Sequence, residues 1–215
     1  MKYNYWSGAE RNKKYSKILL LFPVFGILIG LYVLLNAFSP AMTMPFDPAP
    51  DMVAKKLTQQ QPVLNENRLY IPQLNVDVAV VTGLTASSLE LGAWHRNPEN
   101  GDPKTGGNFV LSAHRFNLGM LPSQTRAKSP FYHIDLLKPG DQVYVDFEGI
   151  RYAYSIVKSY KVDRTAVQIE QRSPDSKMTL YSCDLRGEKA GREVVEAKPT
   201  GTITWSDSGP KLKPL

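Results

Sequence analysis

Cysteine is almost missing from this chain: Cys183 stands alone in 215 residues, so no internal disulfide can staple the fold. Histidine is nearly as scarce. His95, His114 and His133 show no His-x-x-x-His or Cys-x-x-Cys spacing, which argues against zinc. Glu170 and Asp175 near the Cys183 segment offer carboxylates for calcium, with ordinary surface charge as the alternative, and no metal or other cofactor is assigned. No glycine-rich loop opens a helix to cradle a phosphate; Gly106-Gly107 precedes a strand. Repeats and heptads are missing too. The net charge of +6 suggests a nucleic-acid surface until its placement is considered. Residues 1–17 hold five cations and one carboxylate, or +4, which leaves only +2 for the other 198 residues and no stripe to track phosphates.

What is present begins with a long apolar run. Lys17 is the last charge before Asp47, and residues 18–38 carry only Pro23, glycines, Tyr32, Asn36 and apolar side chains. At 1.5 Å per residue that run covers about 30 Å, the thickness of a hydrocarbon core. The basic residues precede it, which predicts a cytoplasmic N-terminus at 1–17 and an extracytoplasmic chain beyond. A cleaved signal peptide is the alternative, but its apolar region is shorter and Pro40 stands where cleavage would fall. Residues 39–65 are proline-rich and polar and read as a linker.

From Arg68 the texture changes to short strands separated by turns. Val76–Val80 alternates, Phe109–Ala113 is apolar, and Val143–Phe147 turns at Glu148-Gly149 into Tyr152–Ile156. Leu84–Trp94 has room for a short helix, and 115–129 reads as a long polar loop. No amphipathic helix of a dozen residues separates the strands, so a parallel βαβ sheet is disfavoured against a mostly antiparallel barrel or sandwich. The domain is expected over 66–205, with a polar tail at 206–215.

The chemistry gathers in Met178–Lys198. Cys183 ends one strand-like run, and Arg192 opens the next across a single loop. An unpaired thiol outside the cytoplasm is either inert and buried or reactive. A neighbouring guanidinium lowers a thiol pKa, or binds the oxyanion of a tetrahedral intermediate. Arginine cannot move protons near neutral pH, so a histidine is wanted. His114, where a strand meets a long loop, is the preferred candidate; His95 and His133 read as structural, packed or solvated.

These fragments resemble the sortases, membrane-anchored cysteine transpeptidases of Gram-positive-type bacteria. Thr179-Leu180-Tyr181-Ser182-Cys183 resembles the family's TLxTC signature, with Ser182 for the usual threonine. Ser112-Ala113-His114-Arg115 resembles its histidine segment, with Ala113 for glycine, and Arg192-Glu193-Val194-Val195 its arginine strand. Leu69-Tyr70-Ile71-Pro72, Gly106–Leu111 and Leu137–Asp141 fit in the same order. The resemblance implies an eight-stranded β-barrel with short helices behind one transmembrane helix. It implies Cys183 as nucleophile, His114 as general acid and base, and Arg192 as stabiliser of substrate or oxyanion. Thr179, Tyr181, Ser182 and Ala113 are then expected at the substrate; Thr179 and Tyr181 share Cys183's strand face. The implied partners are surface proteins with an LPxTG-like sorting signal and an amine of the cell wall or its precursor. Phe46-Asp47-Pro48 is only reminiscent of the lid of pilus-polymerising members, and 203–215 shows no second apolar anchor, so an anchoring enzyme of class A, D or E type is expected over a pilin polymerase. The non-enzymatic alternative is a membrane-tethered β-domain that binds cell-wall polymer.

Overall fold

A computed structural model describes residues 13–42, 51–206 and 209–215. Helix α1 (Lys13–Phe38) runs into a 3-10 turn at Ser39–Ala41, and helix α2 (Met52–Gln59) precedes the strands. Ten strands follow: β1 (Arg68–Ile71), β2 (Val76–Val81), β3 (Ala93–His95), β4 (Gly101–Asp102), β5 (Gly106–Ser112), β6 (Gln142–Phe147), β7 (Ile150–Val162), β8 (Lys177–Asp184), β9 (Gly187–Ser206) and β10 (Gly209–Pro214). Helix α3 (Pro122–Ala127) lies between β5 and β6, where a plain loop was expected; Pro122 sits in its first turn, where no amide is needed.

The strands pair in the order β9-β7-β6-β1-β2-β3-β5, and β8 pairs with both β5 and β9. That closes a ring of eight, the architecture expected. β4 and β10 are appended to it. Pairing is antiparallel except for β2–β3 and β5–β8. The β6–β7 hairpin turns through Glu148 (φ 48°) and Gly149 (φ 78°). Two left-handed residues in a row match the twist of the flanking strands.

Alternation along the strands fills the interior with Leu69, Ile71, Phe109, Leu111, Val143, Val145, Ile156, Met178, Leu180 and Val195. Fully burying each large aliphatic or aromatic side chain contributes about 1.5–3 kcal/mol. His95 packs edge-on against Phe109 with ring centroids 4.7 Å apart, and its Nε2 donates to the Gly101 carbonyl at 3.0 Å. Burial pushes its pKa down, so it is a neutral core residue.

Two regions differ from expectation. Part of the linker is helical: α2 sets Val53 and Leu57, one turn apart, against Tyr70 and the half-buried Tyr144. The tail is also ordered, because β10 extends the sheet beside β9 from Gly209↔Ser206 to Pro214↔Gly201. Its lysines and prolines suit an edge strand, where charge and missing amides discourage further pairing. Phe46-Asp47-Pro48 and most of the basic N-terminus lie outside the described residues.

The apolar helix is 26 residues long, about 39 Å, enough to cross a bilayer. Its described apolar side chains are exposed rather than packed in a core. That is consistent with a single-pass membrane anchor.

Candidate active site

Three neighbouring strand ends meet at one rim of the ring. In the antiparallel β8–β9 pair, Cys183 lies directly opposite Arg192. On the other side of β8, β5 runs parallel with Ser112↔Tyr181, and the Ala113 amide donates to the Tyr181 carbonyl at 3.3 Å. The pair of interest lies two residues beyond that register: His114 after Ser112, and Cys183 after Tyr181. Cys183 and Arg192 are therefore borne on adjacent strands, and His114 lies two residues past the end of the strand on the other side of β8. Neighbouring strands are about 4.8 Å apart, with the thiol's strand in the middle. All three are partly exposed.

Backbone conformation sets the arginine. Gly191, just before Arg192, has φ +119°, and a Cβ there would come within 2.5 Å of the Val162 carbonyl on β7. Glycine lets β9 pass that close to β7 as Arg192 enters the site. Arg192 Nη1 also donates to the Gly191 carbonyl at 3.2 Å.

His114 has a partner that the sequence did not point out. Its Nε2 lies 3.0 Å from Oε1 of Glu90, at the end of a 3-10 turn (Ala86–Glu90). A carboxylate only accepts, so Nε2 carries the proton in this contact and Nδ1 is left to accept or receive one. Glu90 also accepts from Asn117 Nδ2 at 2.8 Å and faces Lys128 Nζ at 3.4 Å. Slight burial works to raise its pKa, but the His114 and Lys128 contacts outweigh it and hold the carboxyl below its ordinary value. A shallow cleft of about 190 Å³ lies on the far flank of Glu90, against Arg68, Asp77, Gly92, Lys128 and Pro130; it includes none of Cys183, His114 and Arg192.

Four residues expected at the substrate are placed otherwise. Thr179 is fully buried and its hydroxyl donates to Asn108 Oδ1 at 2.7 Å; Asn108 in turn holds the carbonyls of Ile169 and Gln171. Tyr181 is buried with Val110, Ile169 and Val194, and its hydroxyl donates to Glu170 at 2.5 Å. Ala113 is buried, and Ser182 is buried with its Oγ making no hydrogen bond. The reason is that β8 is covered on both faces. Met178 and Leu180 point into the ring, while a 3-10 turn at Val167–Glu170 caps the other face. Shared parity with Cys183 gives the direction of a side chain, not its exposure. These four shape the wall behind the thiol instead of lining an open groove.

Glu170 is thus occupied by Tyr181 and by Asn97 Nδ2 at 2.9 Å. Among the described residues, no three His, Cys, Asp or Glu side chains gather as a metal-holding group.

The side chains next in sequence to the trio form a second layer on the opposite face. Arg115 is buried, with Nε donating to the Tyr132 carbonyl at 2.6 Å and Nη2 2.6 Å from Asp135. Its Nη1 lies 3.8 Å from buried Glu193, which pairs with Lys161 at 2.6 Å; Lys161 also reaches Asp184 at 3.4 Å. Arg186 and Lys161 hold Asp184 far below the usual carboxylate range.

Residues 69–200, well over half of the chain, match the sortase domain family. The chain belongs to the sortase family. A curated relative is sortase A of Listeria monocytogenes serovar 1/2a, 26% identical over 139 residues, which is 63% of this chain and 58% of that protein. The chain therefore spans less than two thirds of that relative's length. Among solved structures, Listeria monocytogenes sortase A superposes with a TM-score of 0.56 at 21% identity, covering 68% of this chain and 94% of the other. A Clostridium perfringens sortase D5 transpeptidase gives 0.53 at 21%, over 73% and 91%. At such identities the structural likeness shows the sortase fold alone.

Proposed function

We propose that this chain is a cysteine transpeptidase that cuts an LPxTG-like sorting signal between its threonine and glycine and joins the threonine to an amine of the cell wall. The observation that carries the proposal is the order of three strand ends, His114, Cys183 and Arg192, with the thiol between imidazole and guanidinium. In the first step the Cys183 thiolate adds to the threonine carbonyl carbon. The tetrahedral oxyanion collapses, the C–N bond breaks, and His114 gives its proton to the departing glycine amine. A thioester remains on Cys183. His114 then takes a proton from an incoming amine as it attacks, and the thiolate leaves. Arg192 donates to the oxyanion or to the substrate backbone through its planar fork. No step requires a metal or another cofactor.

The substrates proposed are surface proteins with a C-terminal sorting signal, and the acceptor is a peptidoglycan precursor or cross-bridge amine; we read an anchoring enzyme of class A, D or E type rather than a pilin polymerase. The working domain is 66–205, held outside the cytoplasm by 18–38 with 1–17 inside.

The test is intact-mass analysis of the full chain in detergent with an LPxTG peptide, with and without triglycine, beside Cys183→Ala. An acyl adduct of the peptide's N-terminal fragment, absent in Cys183→Ala and cleared into a triglycine product, is the expected result. If no adduct forms and Cys183 resists iodoacetamide until the domain is unfolded, the transpeptidase reading is wrong.

A further inference from the structure

The loop that leaves His114 does not face open water like an ordinary surface loop. Residues 116–121 and the α3 turn after them run alongside the last turns of α1 and the 3-10 turn that follows it, and four polar contacts bind the two segments. The Tyr32 hydroxyl donates to the Met120 carbonyl; Asn36 Nδ2 donates to the Gly119 carbonyl at 2.8 Å. The Thr125 hydroxyl donates to Asn36 Oδ1 at 2.5 Å, and Ser39 Oγ donates to the Pro122 carbonyl at 3.0 Å. Just beyond, His133 Nε2 donates to the Pro40 carbonyl at 2.9 Å. Asn36, the one amide in the apolar run, is only 4% exposed because this loop covers it.

Depth can be read from the helix. Tyr32 lies six residues before Phe38, so Met120 sits about 9 Å back along α1 from its end. Such a depth would be awkward for a loop unless its backbone were satisfied internally, since lipid offers no hydrogen bonds. Over 119–121, the deepest part, it is satisfied. Gly119 N–H donates to Thr125 Oγ1, and the Met120 and Leu121 amides donate to Gln124 Oε1. The Leu121 carbonyl accepts from the Thr125 amide, and the Gly119 and Met120 carbonyls accept from α1. The side chains show the reverse: Phe116, Leu118, Met120 and Leu121 are all exposed, Met120 at 79%. A closed backbone with outward apolar side chains, beside an apolar helix, is the pattern of a segment solvated by lipid.

We propose that residues 116–121 insert into the outer boundary of the bilayer, so that the sortase domain rests on the lipid surface with His114 two residues from the inserted segment. This rests on α1 being a membrane anchor. The occupant is the acyl-chain boundary itself, continuous with the lipid around α1. The candidate site is then held at a fixed height, facing substrates presented at the membrane surface.

The test places tryptophans in the full chain reconstituted in phosphatidylcholine vesicles with brominated acyl chains, each read against the parent chain, which has Trp6, Trp94 and Trp205. Leu28→Trp reports on the helix, Met120→Trp and Leu118→Trp on the loop. Ile150→Trp lies at the opposite end of β7 from the site. Insertion to the depth above predicts that the loop variants lose about half or more of their added emission, as Leu28→Trp does, while Ile150→Trp keeps it. Quenching at Leu28→Trp with none in either loop variant overturns the insertion and leaves the anchor standing. No quenching at Leu28→Trp overturns the anchor and the insertion with it. Equal quenching at Ile150→Trp overturns a specific loop contact.

Discussion

Arg151 and Asp146 provide the sharpest test of how the ring is held, because both are buried and their partners are few. Arg151 Nε and Nη2 meet the two Asp146 oxygens at 2.6 and 2.7 Å, and Nη1 donates to the Leu57 carbonyl at 2.8 Å, tying α2 to the sheet. The guanidinium lies between the rings of Tyr70 and Trp205, 5.1 and 5.0 Å from their centroids. Apart from Arg151, the Asp146 carboxylate has the Tyr70 hydroxyl at 3.1 Å. Arg151→Met therefore leaves a carboxylate in the interior with one neutral donor, a loss of about 3–5 kcal/mol. For a domain of this size each kcal/mol moves Tm by about 2–4 °C, so a fall of about 6–20 °C is expected. Adding Asp146→Asn removes the isolated charge yet keeps an oxygen for Tyr70, so the double variant should recover about half of that loss or more, a strongly non-additive pair. The assay is thermal unfolding of the detergent-solubilised chain by circular dichroism. Arg151 is eleven residues along β7 from Val162, at the end of that strand away from the candidate site, so kcat/KM well below Tm should not move. If the double variant melts no higher than Arg151→Met, isolation of the charge is not what destabilises the single variant, and the reasoning fails.

Three further outcomes are expected. Arg115→Met strips the Tyr132 carbonyl of its donor, while Glu193 keeps Lys161; the loss should be about 2–4 kcal/mol in thermal unfolding, and a loss below about 0.5 kcal/mol would show that the buried arginine is idle. Glu90→Gln keeps an oxygen for His114 Nε2 but removes the charge from a solvent-accessible pair, so kcat/KM on a sorting peptide should fall by no more than about fivefold; a loss beyond a hundredfold would make Glu90 a principal rather than an orienting group. Burial first, with nearby carboxylates, raises the pKa of Tyr70, Tyr160 and Tyr181 far above 10.0, and burial does the same for Tyr154. An acid whose folded pKa is raised contributes its stability below its unfolded pKa and loses it above, so the contribution of these four tyrosines should be lost as pH rises past about 10. Exposed tyrosines should ionise in the folded chain, and the last part of the 295 nm rise should come only with loss of near-ultraviolet circular dichroism; ionisation of all eleven tyrosines in a still-folded chain would contradict the burial.

The parts of this fold that the sequence made legible are those whose cause is local. Cys183 and Arg192 sit across one loop, and a short loop between two alternating runs permits little besides a hairpin, so their pairing follows. His114 was legible as a strand end, but its approach to Cys183 depends on parallel pairing of strands about seventy residues apart, which no local pattern encodes. The family resemblance carried that step. α2 left a faint signal, Val53 and Leu57 one turn apart, which the surrounding prolines outweighed. The burial of Thr179 and Tyr181 left none, because the Val167–Glu170 turn that covers them has no periodicity of its own. Asn36 looked like a blemish in an apolar run; only the distant Gly119 and Thr125 explain it.

The second layer behind the site was within reach of a period-two argument. Arg115, Asp184 and Glu193 each follow a member of the proposed trio, and each is charged. Along a strand, the neighbour of a residue that faces the site must face away from it. Three adjacent strand ends with charged side chains on their hidden face would be intolerable unless opposite charges compensated them, because a buried charge is costly unless it is paired. The two anions, on β8 and β9, are adjacent, and a cation flanks them on each side: Arg115 after β5, facing Glu193, and Lys161 of β7, which reaches both. A network of that kind fixes the lateral order of the strands by charge, and the same order sets imidazole, thiol and guanidinium side by side on the other face. One face of the rim is therefore arranged for chemistry by what the other face requires for burial, and a change to Glu193 or Arg115 should be felt at the thiol without touching it.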